Sequence, residues 1–164
     1  MKHSHLVGII SDTHDHRPAI ARGVTLFNQR GVGLVLHAGD MVAPFTAKDF
    51  GKLDSPFIGV FGNNDGERVG LRKAFREIGE IHPGVHTFLH EGKKFALMHE
   101  PSSLEVLIHS GDFDVTVYGH THGVDVREGT TLVVNPGEAC GWLSGRCTVA
   151  ILDLERTEVE IVDL

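Results

Sequence analysis

The stretch HLVGIISDTHDH, residues 5–16, runs as an unbroken apolar segment up to Ser11 and then turns at once into Asp12, Thr13 and His14. Aliphatic and β-branched side chains in a short run read as a buried strand. A carboxylate and an imidazole directly after such a strand are more than turn chemistry if other strands end the same way. In open α/β sheets, ligands bind beyond the carboxyl ends of the strands.

The pattern continues along the chain. Residues 17–30 read as an amphipathic helix that starts near Pro18 and is stopped by Gly31. VGLVLHAG (32–39) is a second strand, residues 44–53 a second helix, PFIGVFG (56–62) a third strand and residues 71–78 a further helix. VHTFLH and KKFALMH flank EGK as a β-hairpin. Residues 102–110 form a short helix, with Ser102 or Ser103 as its N-cap, and DVTVYG (114–119) is another strand. DVREGTTLVVN, CTVAILDLE and EVEIVDL then make the end of the chain all β. Alternating strands and helices followed by hairpins predict an α/β layered fold with a mixed sheet or two packed sheets. No linker or repeat divides residues 1–164, so a single domain is expected.

At 164 residues, with 41% apolar and 23% charged, the chain can bury a sizeable core. A net charge of −7 argues against binding duplex nucleic acid through a basic surface. No secretory leader or membrane-length apolar run is visible, which predicts a cytoplasmic, soluble protein. Cys140 and Cys147 are expected as plain buried thiols. The unusual count is 12 histidines, the commonest metal ligand among side chains.

Their placement carries the chemistry. The first strand leads to Asp12 and His14, the second to Asp40, and the third to Asn63. The hairpin's return strand leads to His99, and the next strand to His120 and His122. A period of two places Asp12 with His14, and His120 with His122, on one side of an extended backbone. Any one fragment has an ordinary structural reading, but five successive strand ends carrying metal-ligand residues do not. Seven ligands suit two ions sharing a carboxylate. We assign Asp12, His14 and His122 to one ion, Asn63, His99 and His120 to the other, and Asp40 as the bridge. Imidazole and oxygen without thiolate favour Mn, Fe, Co, Ni or Zn over Mg or Ca. Two carboxylates against two divalent cations leave a charge of about +2, which attracts a phosphate ester despite the acidic surface.

DTH, GD, GNND, MHE and GHTH, in that order, resemble the calcineurin-like metallophosphoesterases, and most closely their small stand-alone phosphodiesterase group. NPGEACGWLSGR (135–146) resembles the Asn-Pro-Gly segment that follows the last histidine motif of that group. The resemblance implies a four-layer αββα sandwich, two mixed β-sheets flanked by helices, and a dinuclear centre of divalent transition metals, manganese first. It implies hydrolysis of a small phosphodiester, a nucleotide among the candidates, by a hydroxide held between the ions, with Asp40, Asn63, Asn64 and His99 as the catalytic set. Many relatives carry histidine where this chain has Asn64. An amide cannot protonate a leaving group and can at most donate a hydrogen bond to a phosphate oxygen, which leaves Asp65 to brace the loop. Esters with good leaving groups are therefore expected to suffer least.

A phosphomonoesterase with the same centre, or a non-catalytic scaffold like the retromer subunit of this fold, are the alternatives. Arg68 reads as a solvated surface residue that could instead hold the second ester arm. His16 and His37 are candidate hydrogen-bond partners of the ligands, while His3, His5, His82, His86, His90 and His109 read as surface or loop residues. A homodimer is the default oligomer.

Overall fold

The computed structural model describes residues 4–164; His3 lies outside them. Eleven strands and four α-helices are assigned among these residues. β1 (Leu6–Ile10), α1 (Arg17–Arg30), β2 (Leu34–His37), α2 (Ala47–Phe50), β3 (Phe57–Val60), α3 (Arg68–Phe75) and β4 (Gly79–His82) make the first half. The hairpin β5 (His86–His90) and β6 (Lys93–Leu97) follows, then α4 (Leu104–Ser110) and β7 (Val115–Val117). β8 (Val124–Arg127), β9 (Leu132–Pro136), β10 (Thr148–Asp153) and β11 (Glu158–Asp163) complete the chain.

Two mixed sheets result. The six-stranded sheet runs β11-β10-β1-β2-β3-β4, with β1 to β4 parallel and β10 antiparallel to both neighbours. The five-stranded sheet runs β5-β6-β7-β9-β8, parallel across β6, β7 and β9. Alternation along the strands builds three apolar layers. Val7, Ile9, Leu34 and Leu36 of the first sheet meet Phe95, Leu97, Val117 and Val134 of the second. Ile10, Val35, Phe57 and Val149 point the other way, onto Ile20, Phe27, Phe50 and Phe75 of the helices. Ala96, Met98 and Val133 cover the outer face of the second sheet with Leu104 of α4. Helices, sheet, sheet and helix form the expected αββα sandwich.

Most element boundaries follow local chemistry. Pro18 opens α1, and Gly31 closes it in the left-handed conformation (φ 64), its N–H bonding the Asn28 carbonyl. Glu91 and Gly92 both have positive φ, 46 and 75, the two-residue turn that matches strand twist in a hairpin. Four expectations need correction. The second helix is a 3₁₀ turn, Pro44–Thr46, running into the single turn of α2. The third starts at Arg68 and ends at Phe75, and the residues beyond it form strand β4, paired parallel with β3. Only Ile81 of β4 is fully buried, so its sequence lacks a strand's apolar run. Ser103 precedes α4, but its side chain makes no capping bond.

The carboxyl ends of β1, β2 and β3 in one sheet, and of β6 and β7 in the other, open onto one rim. The His99 Nδ1–H donates to the Ala38 carbonyl (2.7 Å), and the His120 N–H donates to Asp12 Oδ2 (3.1 Å), tying the two sheets together there.

Candidate metal centre

All seven expected residues converge on this rim. Asp12 and Asp40 are buried, as is His99, while Asn63 and His120 are exposed to solvent and His14 and His122 are half-buried. One oxygen of Asp12 accepts from the Ser11 hydroxyl (2.5 Å) and the His120 N–H. Its other oxygen, Oδ1, is buried with no hydrogen-bond partner, and so is His14 Nε2. Oδ1 lies 3.3 Å from His122 Nε2 and 3.8 Å from His14 Nε2. Ligand atoms of Asp12, His14, Asp40 and His122 lie within 4.8 Å of one another.

Asp40 joins this group to a second one. Its Oδ2 stands 3.3 Å from His14 Nε2 and 3.4 Å from His99 Nε2, between the two sets. On the far side, Asn63 Oδ1 lies 2.8 Å from His99 Nε2 and 3.1 Å from His120 Nδ1. His99 spends its Nδ1–H on Ala38, so in the neutral ring Nε2 presents a lone pair to the amide oxygen. A buried acceptor without a donor, such as Asp12 Oδ1, is costly. A divalent cation among Asp12, His14, Asp40 and His122 would satisfy it, so the donor set fits a metal ion.

The protonation pattern expresses the same crowding. The Asp12 carboxylate first, then Asp40, draws a proton onto His14 and raises its pKa to about 10 against the cost of burial. Burial works against the charge of Asp40, but the neighbouring His14 and His99 rings and the two bonds from Asn64 hold it well below the usual carboxylate range. A bound cation would take the place of these protons.

The geometry is not that of extended strands. Asp12, His14, Asp40, His120 and His122 all have positive φ, between 39 and 69. Asp and His tolerate this conformation better than bulkier residues do, and a cluster of it marks a site whose surroundings enforce it. The expected shared face of His120 and His122 is therefore corrected. Nδ1 of His120 turns to Asn63, whereas His122 turns to Asp12 and stacks on His14 with ring centroids 5.3 Å apart. The two histidines serve opposite sides.

Asn64 and Asp65 of GNND both support Asp40. Asn64 donates its backbone N–H to Asp40 Oδ1 and its side-chain amide to Asp40 Oδ2, both at 2.9 Å. The amide thus clamps the shared carboxylate. Asp65 accepts from the N–H groups of Asp40, Gly62 and Val42 at 2.7–3.0 Å and braces the loop, as read. Gly62 is required by space, because a Cβ there would sit 2.1 Å from Asp40 Oδ1. His37 accepts from the Gly39 N–H at Nδ1 and bonds the Thr13 hydroxyl through Nε2. Thr13 in turn donates to the Asp40 carbonyl. His16 has no such role: its ring packs on Trp142, 4.8 Å between centroids.

Glu138 escaped the sequence reading. Its fully buried carboxylate bonds His122 Nδ1 (2.5 Å) and accepts from the Leu143 and Ser144 N–H groups (2.9 and 2.5 Å). These bonds hold its pKa down to about 2 against desolvation. A carboxylate behind a ligating histidine fixes ring orientation and basicity. Its only signal was a charged residue inside an otherwise small and apolar NPGEAC segment. Cys140 is buried and Cys147 half-buried; both are free thiols. Among the remaining histidines, His82 and His86 sit on β4 and β5 with rings stacked at 3.5 Å, and His90 is half-buried at the end of β5, so these three are strand residues.

A family model described as the calcineurin-like phosphoesterase superfamily domain matches residues 6–157. The chain belongs to this superfamily. It is 43% identical over 157 residues to Phosphodiesterase MJ0936 of Methanocaldococcus jannaschii, covering 93% of this chain and 95% of that protein. The solved structure of a novel archaeal phosphodiesterase superposes with a TM-score of 0.93 at 41% identity, covering 97% and 99% of the two chains. YfcE, a phosphoesterase from E. coli, shares the fold at a TM-score of 0.63 and 22% identity, over 96% and 98%. The chain thus carries a phosphoesterase superfamily domain, and Asp12, His14, Asp40 and His122 form a cluster that could hold a metal ion. No helix among the described residues is long and apolar enough to cross a membrane.

Two predictions follow from these supports. Glu138→Gln weakens metal binding about 10- to 100-fold in a chelator competition, whereas unchanged affinity would remove its role. His37 has its pKa pushed down to about 3 by burial, from an ordinary 6.5. Between those pH values the unfolded chain takes up a proton that the folded protein refuses, so stability falls with acid across that window. The urea midpoint of the wild type is expected to drop from pH 6.5 towards 3 more steeply than that of His37→Gln; equal slopes would contradict the assignment.

Proposed function

We propose that the protein is a phosphodiesterase with two divalent transition-metal ions, manganese first and nickel, iron, cobalt or zinc as substitutes. Asp12, His14 and His122 would hold one ion, Asn63, His99 and His120 the other, with Asp40 shared. The observation that carries this reading is the position of one Asp40 oxygen between His14 and His99. Bound there, such ions would supply a water of lowered pKa and would neutralise charge on the phosphoryl oxygens.

The chain's own residues do the rest. Asn64 and Asp65 fix Asp40 by its carboxylate and its backbone N–H. Glu138 orients His122, and Ala38 orients His99. Asn63 supplies a neutral oxygen, which keeps the centre cationic and attractive to a phosphodiester monoanion. Asn64 cannot release a proton to the departing oxygen, so the site favours esters whose leaving groups need none. The likeness to Phosphodiesterase MJ0936 over most of both chains supports a diester over a monoester. We further propose a single-domain cytoplasmic protein acting on a small diester such as a nucleotide, as a homodimer, and without binding duplex nucleic acid through a basic surface.

Metal-stripped protein given Mn²⁺ is expected to hydrolyse bis-p-nitrophenyl phosphate faster than p-nitrophenyl phosphate. Asp40→Asn is expected to lower that rate at least about a hundredfold. A monoester preference would shift the reading to a phosphatase, and no turnover with any of the five metals would overturn catalysis.

A further inference from the structure

Asn63 and His99 also line an open cavity of about 250 Å³. Phe61, Val85 and Met98 give it apolar walls, while Arg68, Glu100 and Ser102 give it polar ones. Its volume equals the share of roughly eight liquid water molecules, enough for a small ring or a short chain.

Arg68 lies at the surface as its sequence suggests, but it is held in place there. Its guanidinium lies 5.0 Å from the Phe61 ring centroid. Its Nε–H donates to the Asp65 carbonyl (3.0 Å), and Nη2 donates to that of Gly62 (3.4 Å). Two of its five N–H groups are thus used, on the same loop that carries Asn63, and the rest have no carboxylate partner among the described residues. Glu100 follows His99 directly, and its side chain makes no hydrogen bond or ion pair among the described residues. A cation and a carboxylate therefore face one cavity without pairing.

That combination selects the chemistry of an occupant. Arg68 alone would favour a second anion, but Glu100 in the same lining removes the net charge. Free donors on one residue, acceptors on the other, a hydroxyl at Ser102 and apolar walls match a neutral arm that bears hydroxyl groups. Resting on the phosphodiesterase reading above, we infer that this cavity receives the polyhydroxylated, sugar-like arm of the diester. Arg68 and Glu100 set that specificity, and the phosphorus lies at Asn63 and His99.

The test uses three esters with one leaving group, in Mn²⁺-loaded protein: p-nitrophenyl uridine 5′-phosphate, ethyl p-nitrophenyl phosphate and bis-p-nitrophenyl phosphate. The wild type is expected to prefer the uridine ester to the ethyl ester by about tenfold or more in kcat/KM, as one or two added hydrogen bonds give. Glu100→Gln and Arg68→Met are each expected to reduce that ratio severalfold, chiefly through KM. Glu100→Gln is the decisive variant, because Glu100 braces nothing. An absent preference, or a ratio unchanged in Glu100→Gln, would overturn the inference while leaving diester hydrolysis standing. If no ester turns over, the phosphodiesterase reading fails. Calorimetric binding of uridine 5′-monophosphate then decides the cavity by whether Glu100→Gln weakens it.

Discussion

Two carboxylates, Asp12 and Asp40, are buried at the junction of two sheets, with histidine nitrogens 3.3–3.8 Å from their oxygens. Nothing in the apolar layers favours this arrangement. Burial of an unpaired charge costs several kcal/mol, and the polar contacts around the rim are organised to offset it. Ser11 and the His120 N–H satisfy one oxygen of Asp12, and Asn64 satisfies both oxygens of Asp40. Asp65 then gathers three N–H groups of the surrounding loops. What stays unsatisfied, Asp12 Oδ1 and His14 Nε2, faces the place where a cation would stand.

The sandwich makes that junction possible. Parallel strands β1, β2 and β3 in one sheet, and β6 and β7 in the other, deliver their carboxyl ends to the same rim. The inter-sheet layer of Val7, Ile9, Leu36, Leu97 and Val117 holds them in register. Loops leaving these strands must turn sharply, and the positive φ values of Asp12, His14, Asp40, His120 and His122 are how they do so. Such conformations cost of order 1–3 kcal/mol each in sparsely allowed regions, a cost that the packed sheets beneath absorb. Stability in the layers thus supports strain at the rim, and the strain aims these side chains at one another.

Much of this was legible in the sequence. Polar residues at strand ends follow from the rule that α/β sites form there, and all seven positions meet in space. The finer geometry was not legible. Alternation along a strand says nothing once the chain leaves the strand, which is why His120 and His122 were expected side by side and instead diverge. Asn64 read as a residue facing substrate because its clamp on Asp40 joins residues 24 positions apart. Glu138 sits 16 residues from His122, and only the fold brings them together. β4 was missed because one buried residue, Ile81, is too little apolar signal to mark a strand.

The central claim is that one carboxylate is shared between two ions. Its most direct measurement is crystallographic: anomalous scattering from crystals of the Mn²⁺-loaded protein, with metal content counted on the same sample. The account predicts two peaks, one among Asp12, His14 and His122 and one among Asn63, His99 and His120, with Asp40 contacting both. A single peak at saturating metal, or two peaks with Asp40 bound to only one, would contradict it.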